Sequence, residues 1–228
     1  MSSANTIFFA LLGGLLPACF WLWFWLKEDN LHPEPKKRIV LIFLAGMVSV
    51  FLVLPLEKMV YNLALSSISL LTLFLWASLE EIFKYGSAYF AGLTKKDMNE
   101  PLDAVIYMIT AALGFSALEN TLFLLNLISD NDFIQSILTG NSRFLGASLI
   151  HIASSATIGI MIALSYYKKP ILKKIFLCTG LIIAVILHTV FNLLIIKFED
   201  ERFFIFTGVW FLIIFLIVLI EKVKNIKS

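Results

Sequence analysis

The chain has 228 residues, of which 60% are hydrophobic and 15% charged, and its mean hydropathy is +0.91. No soluble domain needs that much apolar surface. A formal net charge of +2 gives no sign of a nucleic-acid partner, so the composition leaves a membrane protein.

Seven apolar blocks follow one another along the chain, at residues 7–26, 39–60, 67–91, 104–128, 144–167, 173–196 and 203–220. A spanning helix needs about 20 mainly apolar residues. The blocks are too long for buried strands and lack the alternation of a barrel. The sequence therefore predicts an all-α, polytopic membrane protein of about seven transmembrane helices, folded as one unit over residues 1–228. Short polar links separate the blocks, with no internal repeat, low-complexity tract or long linker. The opening MSSANTIFF has no positive stretch, so no cleaved signal peptide is expected.

Charge assigns the two faces. Lys27, Lys36, Lys37 and Arg38 follow the first block, Lys95 and Lys96 the third, and Lys168, Lys169, Lys173 and Lys174 the fifth. With Lys222, Lys224 and Lys227 in the tail they make thirteen cations on one side, against Lys58, Arg143, Lys197 and Arg202 on the other. By the positive-inside rule the N-terminus lies outside and the C-terminus in the cytoplasm. Cys19 and Cys178 fall within blocks without CxxC spacing and read as small core residues.

The third block breaks the apolar pattern with SLEEIFKYG at Ser78–Gly86. In all, Glu80, Glu81 and Lys84, Glu119 in the fourth block, His151 in the fifth and His188 in the sixth stand at membrane depth. Each ionised group there costs about 2.5–3.5 kcal/mol on the lenient insertion scale. Three carboxylates and a lysine are tolerable only if they face one another across a bundle interior. Counting along the helices at about 1.5 Å per residue, Glu81 lies about 15 Å from the cytoplasmic end and Glu119, His151 and His188 about 22–24 Å. Acids and imidazoles of four helices thus come to nearly one level.

Helical spacing adds detail. Glu80 and Lys84 are four residues apart and can pair. The same spacing gives His151 the neighbour Ser155 and His188 the neighbour Asn192. Gly114, Ser116 and Ala117 precede Glu119, and Ala153 to Ala156 follow His151, so both helices carry small faces for close approach. Each group also has a plain structural reading: a packed histidine, a neutralised Glu–Lys bridge, an asparagine joining helices. Together, carboxylate, imidazole and amide are the equipment of general acid–base hydrolysis or of a metal site.

Five segments in order resemble the PrsW family of intramembrane proteases, relatives of the CAAX-processing membrane proteases. They are EEIFK at Glu80–Lys84, NEPLDAVIY at Asn99–Tyr107, GFSALEN at Gly114–Asn120, RFLGASLIH at Arg143–His151 and HTVFN at His188–Asn192. HPEP at His32–Pro35 is similar to the family's Pro–Glu–Pro loop. The resemblance implies a bacterial or archaeal cell-membrane hydrolase that cuts a peptide bond of a membrane-anchored protein. In some family members that protein is an anti-sigma factor. Implied roles are Glu80 as general base helped by Glu81, Glu119 and His151 on the water, and His188 and Asn192 on the oxyanion. Lys84 would balance charge, Arg143 would sit at the outer mouth, and Asn120 would be a supporting residue. Glu119, His151 and His188 could instead hold zinc. There is no HExxH, and both a cofactor-free and a zinc enzyme remain open. So do a proton or cation pathway through the same acids and histidines, and a non-catalytic scaffold.

Overall fold

Proline and hydroxyl side chains set where the helices begin. In the computed structural model, which describes residues 3–27, 32–64, 67–129 and 146–226, Pro35 precedes the second helix, Pro101 opens the fourth and Pro170 opens the sixth. Ser69 caps the third by accepting a hydrogen bond from the Thr72 amide at 3.2 Å. Seven α-helices result among the described residues: α1 Ser3–Leu26, α2 Lys36–Leu63, α3 Leu70–Ala88, α4 Pro101–Ser129, α5 Ser148–Leu164, α6 Pro170–Lys197 and α7 Arg202–Lys224. A π-helical turn at Tyr89–Leu93 continues α3. No strand occurs among the described residues.

Five of these helices, α1, α2, α4, α6 and α7, are long and apolar enough to cross a membrane. The other two fall short for different reasons. At 17 residues α5 is short, though apolar throughout. In α3, Glu80, Glu81 and Lys84 fall within 19 residues, so its charge, and not its length, sets it apart.

The bundle is built around α4. Its whole apolar stretch is buried, against 22–33% of the corresponding stretches in α1, α2, α6 and α7. A helix buried on all sides must be narrow where others cross it. Gly114 meets α2 so closely that a Cβ would collide with the Phe43 carbonyl, and Gly46 of α2 is pressed in the same way on the Ala111 carbonyl. This is the physical content of the small residues in GFSALEN. Helices α1, α2 and α5 lie along α4, α6 packs on α5 and α3, and α7 packs mainly on α5.

Outward faces are apolar. Phe8, Phe20, Phe51, Ile182, Phe203 and Phe211 are all exposed where a soluble protein would place charge. Cys19 and Cys178 are exposed as well. This corrects the expectation that they are core residues: presence in an apolar block fixes depth, but not the side of the helix. Arg38 Nε donates to Asp97 at 2.6 Å, and Tyr166 Oη donates to the Met98 carbonyl at 3.4 Å. The links after α1, α3 and α5 therefore gather at one end. Trp76 Nε1 donates to the Glu57 carbonyl at 3.0 Å near the opposite end, joining α2 to α3.

Candidate functional site

The charged turn of α3 faces into the bundle. Lys84 is fully buried, and so is Glu81, while Glu80 is 6% exposed. An ammonium has three protons to give, and Lys84 Nζ has three partners. They are Glu81 Oε1 at 2.8 Å, Glu80 Oε2 at 3.1 Å and His151 Nδ1 at 2.7 Å. The expected Glu80–Lys84 pair is present, and Lys84 also reaches Glu81, so both carboxylates share one environment.

The donor chain assigns both imidazoles. With Lys84 donating to His151 Nδ1, the proton of the His151 ring lies on Nε2, which donates to Glu119 Oε2 at 3.0 Å. His188 Nδ1 donates to Glu81 Oε1 at 2.9 Å, leaving Nε2 as an acceptor. The unprotonated nitrogens both face Glu80 Oε2, at 3.6 Å for His151 Nδ1 and 3.8 Å for His188 Nε2. The two rings stand 5.0 Å apart and nearly perpendicular. One ligand atom from each of Glu80, His151 and His188 lies within 4.8 Å of the others.

Neighbouring residues fix this arrangement. Ser155 Oγ donates to Glu81 Oε2 at 3.1 Å, so the second oxygen of that carboxylate is held too. Asn120 Nδ2 donates to Ser116 Oγ and Ser148 Oγ, at 3.2 and 3.1 Å, and Ser116 Oγ donates to Ser148 Oγ at 3.1 Å. This buried network ties α4 to α5 one residue away from Glu119. The Phe115 ring lies 5.7 Å from the His151 ring and 4.6 Å from Lys84 Nζ, closing an apolar and cation–π wall.

Of the residues expected from sequence, Glu80, Glu81, Lys84, Glu119, His151 and His188 come together. Asn120 lies in the adjoining network. Asn192 is half-buried one turn beyond His188, whose ring is held by Glu81 instead. Arg143 lies outside the described residues. The triad with mutually close ligand atoms contains Glu80, whereas Glu119 stands behind His151 as its hydrogen-bond acceptor. Ser155, Phe115, Ser116 and Ser148 were not singled out as site residues. Glu57 of α2 was not either, although it is near enough to Glu80, Glu119 and Lys84 for their charges to act on it. Its signal was available: it is an acid within the second apolar block, masked by adjacent Lys58 and by the nearby end of that block.

The donor set suits a metal. Histidine and carboxylate are ordinary zinc ligands. Both rings have a carboxylate on the far nitrogen, the arrangement that fixes tautomer and raises ligand basicity. Three carboxylates, Glu80, Glu81 and Glu119, face the single ammonium of Lys84, and the negative excess favours a divalent cation.

Sequence comparison shows the family of the chain. The chain is 26% identical to "Protease PrsW" of Halalkalibacterium halodurans over 224 residues, covering 96% of this chain and 97% of that one. It is 24% identical to "Protease PrsW" of Geobacillus kaustophilus over 226 residues, covering 97% and 94%. A third "Protease PrsW", of Oceanobacillus iheyensis, is 26% identical over 194 residues, covering 83% and 84%. No solved structure matches. The description "PrsW family intramembrane metalloprotease" matches residues 34–220, a stretch that contains every residue of the charged cluster, and the chain belongs to that family.

Proposed function

We propose that this intramembrane protease cuts its substrate at the cluster of Glu80, His151 and His188, with these three holding a catalytic metal. The carrying observation is convergence: two imidazoles, each held by a carboxylate behind, turn their unprotonated nitrogens towards one carboxylate oxygen, with Lys84 Nζ also on that of His151. A bound metal would activate water and polarise the scissile carbonyl. Glu81 and Glu119 orient the two rings. Glu119 is the most accessible of the three carboxylates, with a side chain 21% exposed against 7% and 0% for Glu80 and Glu81. It is thus placed to accept the proton of the attacking water. Asn192, one turn from His188, would donate to the developing oxyanion.

A second reading rests on Lys84. Its ammonium stands 2.7 Å from His151 Nδ1 and 3.1 Å from Glu80 Oε2, so this lysine position and a metal compete for the same donors. In that reading no metal is needed, and Glu80 is the general base. Seven spans with the N-terminus outside, argued from the lysine-rich links, put the cluster in the outer half of the membrane. A membrane-anchored anti-sigma factor is the substrate type that the family resemblance suggests.

The test is cleavage of a single-span reporter by purified protein in liposomes, with and without a chelator, and metal analysis of the same sample. The metal reading expects loss with the chelator and recovery with zinc. Full activity in a metal-free sample would establish the second reading. A reporter left uncut under both conditions, with an ion flux in its place, would overturn both.

A further inference from the structure

Lys84 gives one of its protons to a histidine. Among the described residues it is the one buried lysine. Two of its bonds go to carboxylates, as charge balance in apolar surroundings demands. The third goes to His151 Nδ1 at 2.7 Å, the nitrogen that His151 turns to Glu80 Oε2. The chemistry of that nitrogen allows one partner. His151 Nε2 carries the ring proton and donates it to Glu119 Oε2 at 3.0 Å. Nδ1 is then left with a single lone pair in the ring plane. The lone pair accepts the hydrogen bond from Lys84 or binds a metal, and it does not do both. A carboxylate oxygen has a second lone pair, so Glu80 Oε2 is not limited in this way.

Lys84 keeps its anchors when it gives up His151. Glu81 Oε1 at 2.8 Å and Glu80 Oε2 at 3.1 Å still balance its charge. Its Nζ also lies over the Phe115 ring, 4.6 Å from the centroid, and that face attracts the freed N–H. The main anchor is itself fixed: Glu81 Oε1 accepts from His188 Nδ1 at 2.9 Å, and Glu81 Oε2 from Ser155 Oγ at 3.1 Å. Releasing His151 therefore breaks one hydrogen bond and leaves no buried charge without a counter-charge.

We propose that Lys84 is an internal stand-in for the metal, holding the His151 lone pair until a metal takes it and then withdrawing onto Glu81, Glu80 and Phe115. This rests on the metal reading above. It has two consequences. Glu80 and Glu81 are buried close together and need a cation between them, so with Lys84 in place the bundle assembles before any metal arrives. The same bond must break on loading, so the chain holds metal less tightly than its three ligands would without the lysine.

The experiment titrates the full chain in detergent micelles with zinc, against a chromophoric chelator, with NMR-visible nitrogen in lysine and histidine. No turnover is needed. The ammonium protons of buried Lys84 exchange slowly with water and so give a signal of their own. Zinc should move the Lys84 Nζ and His151 Nδ1 signals together, at one midpoint, while His151 keeps its Nε2 proton. Lys84→Met should bind zinc about tenfold to a hundredfold more tightly than the unchanged chain, the equivalent of one charge-assisted hydrogen bond. That variant loses stability, so the titration of the unchanged chain decides by itself. Zinc bound with the Lys84 and His151 Nδ1 signals unmoved would overturn the proposal and leave the metal reading standing. So would zinc bound at His151 Nε2, or weaker binding by a Lys84→Met chain that keeps its helical content. A chain that takes up no zinc would overturn the metal reading and the stand-in with it.

Discussion

Helices α3 and α7 are both apolar and of similar length, 19 and 23 residues, yet they solve opposite problems. Between Phe203 and Ile220, α7 carries no charge, and Phe203, Phe211 and Phe215 face outward. It meets lipid and needs no partner there. By contrast α3 places two carboxylates and an ammonium in the interior, where each is tolerable only because three other elements supply partners. The difference teaches where the information lies: in α7 it is in composition, in α3 it is in geometry between helices.

The largest expected break of this contrast is Lys84→Met. Removing one member of a buried ionic group typically costs about 3–5 kcal/mol. Here it leaves Glu80 and Glu81 facing each other without their cation. Thermal unfolding in detergent should show a large fall, whereas Phe211→Ala on α7, at a position 69% exposed, should leave the transition within a few degrees of wild type. Equal transitions for both variants would show that α3 does not depend on its ion pairs.

Next in size is Glu80→Gln, which keeps shape and removes charge. Both proposed mechanisms place Glu80 at the reaction, as ligand or as base, so cleavage of the reporter should drop by about 10²–10⁴-fold with folding retained. Metal content separates the two: a ligand's loss lowers it, a base's loss does not. A drop of less than tenfold would remove Glu80 from the centre of the site.

Much of this site was legible in the sequence because charge inside an apolar block is rare and expensive. That logic found Glu80, Glu81, Lys84, Glu119, His151 and His188 together. It also paired Glu80 with Lys84, since that contact lies within one helix. Contacts between helices were harder. Counting residues left Glu81 about 7–9 Å short of the imidazoles, yet Glu81 Oε1 is 2.9 Å from His188 Nδ1. Such counts assume parallel helices with level ends, and neither is encoded in hydropathy. Likewise Ser155 was read as a partner for His151 on its own helix, whereas it bonds Glu81 across the bundle. The burial of α4 at the centre depends on Gly46 and Gly114 admitting backbone contact, a pairing visible only once both helices are in place.

A subtler test of α3's dependence on its neighbours is Ser155→Ala. A hydrogen bond to a charged group contributes about 1.5–3 kcal/mol. Much of that is recovered if Lys84 and His188 still hold the other oxygen of Glu81. The expected result is a roughly tenfold fall in kcat with KM unchanged, through loosening of the His188 ring. A KM change alone would instead place Ser155 in substrate binding.

The smallest effect is expected from Cys19 and Cys178. Both are exposed on helices that face outward, so neither fills the core, and changing both to alanine creates no interior cavity of the kind that destabilises. Activity on the reporter should stay within about twofold of wild type. A larger loss would mean that these faces of α1 and α6 pack against something, and that their resemblance to the lipid-facing side of α7 is wrong. The cysteine-free protein then gives a clean background for topology. Thirteen cations follow the first, third, fifth and seventh apolar blocks of the sequence and four stand at the opposite ends, apart from Lys84 inside the third, so the face with thirteen should be cytoplasmic. A single cysteine introduced by Ser2→Cys should react with an impermeant maleimide on intact cells, and one introduced by Ser228→Cys only after lysis. Reaction of both on intact cells would require an even number of crossings. The helix to lose its place would then be α5, the 17-residue one, or α3, whose charges keep it from being read as a span on composition alone.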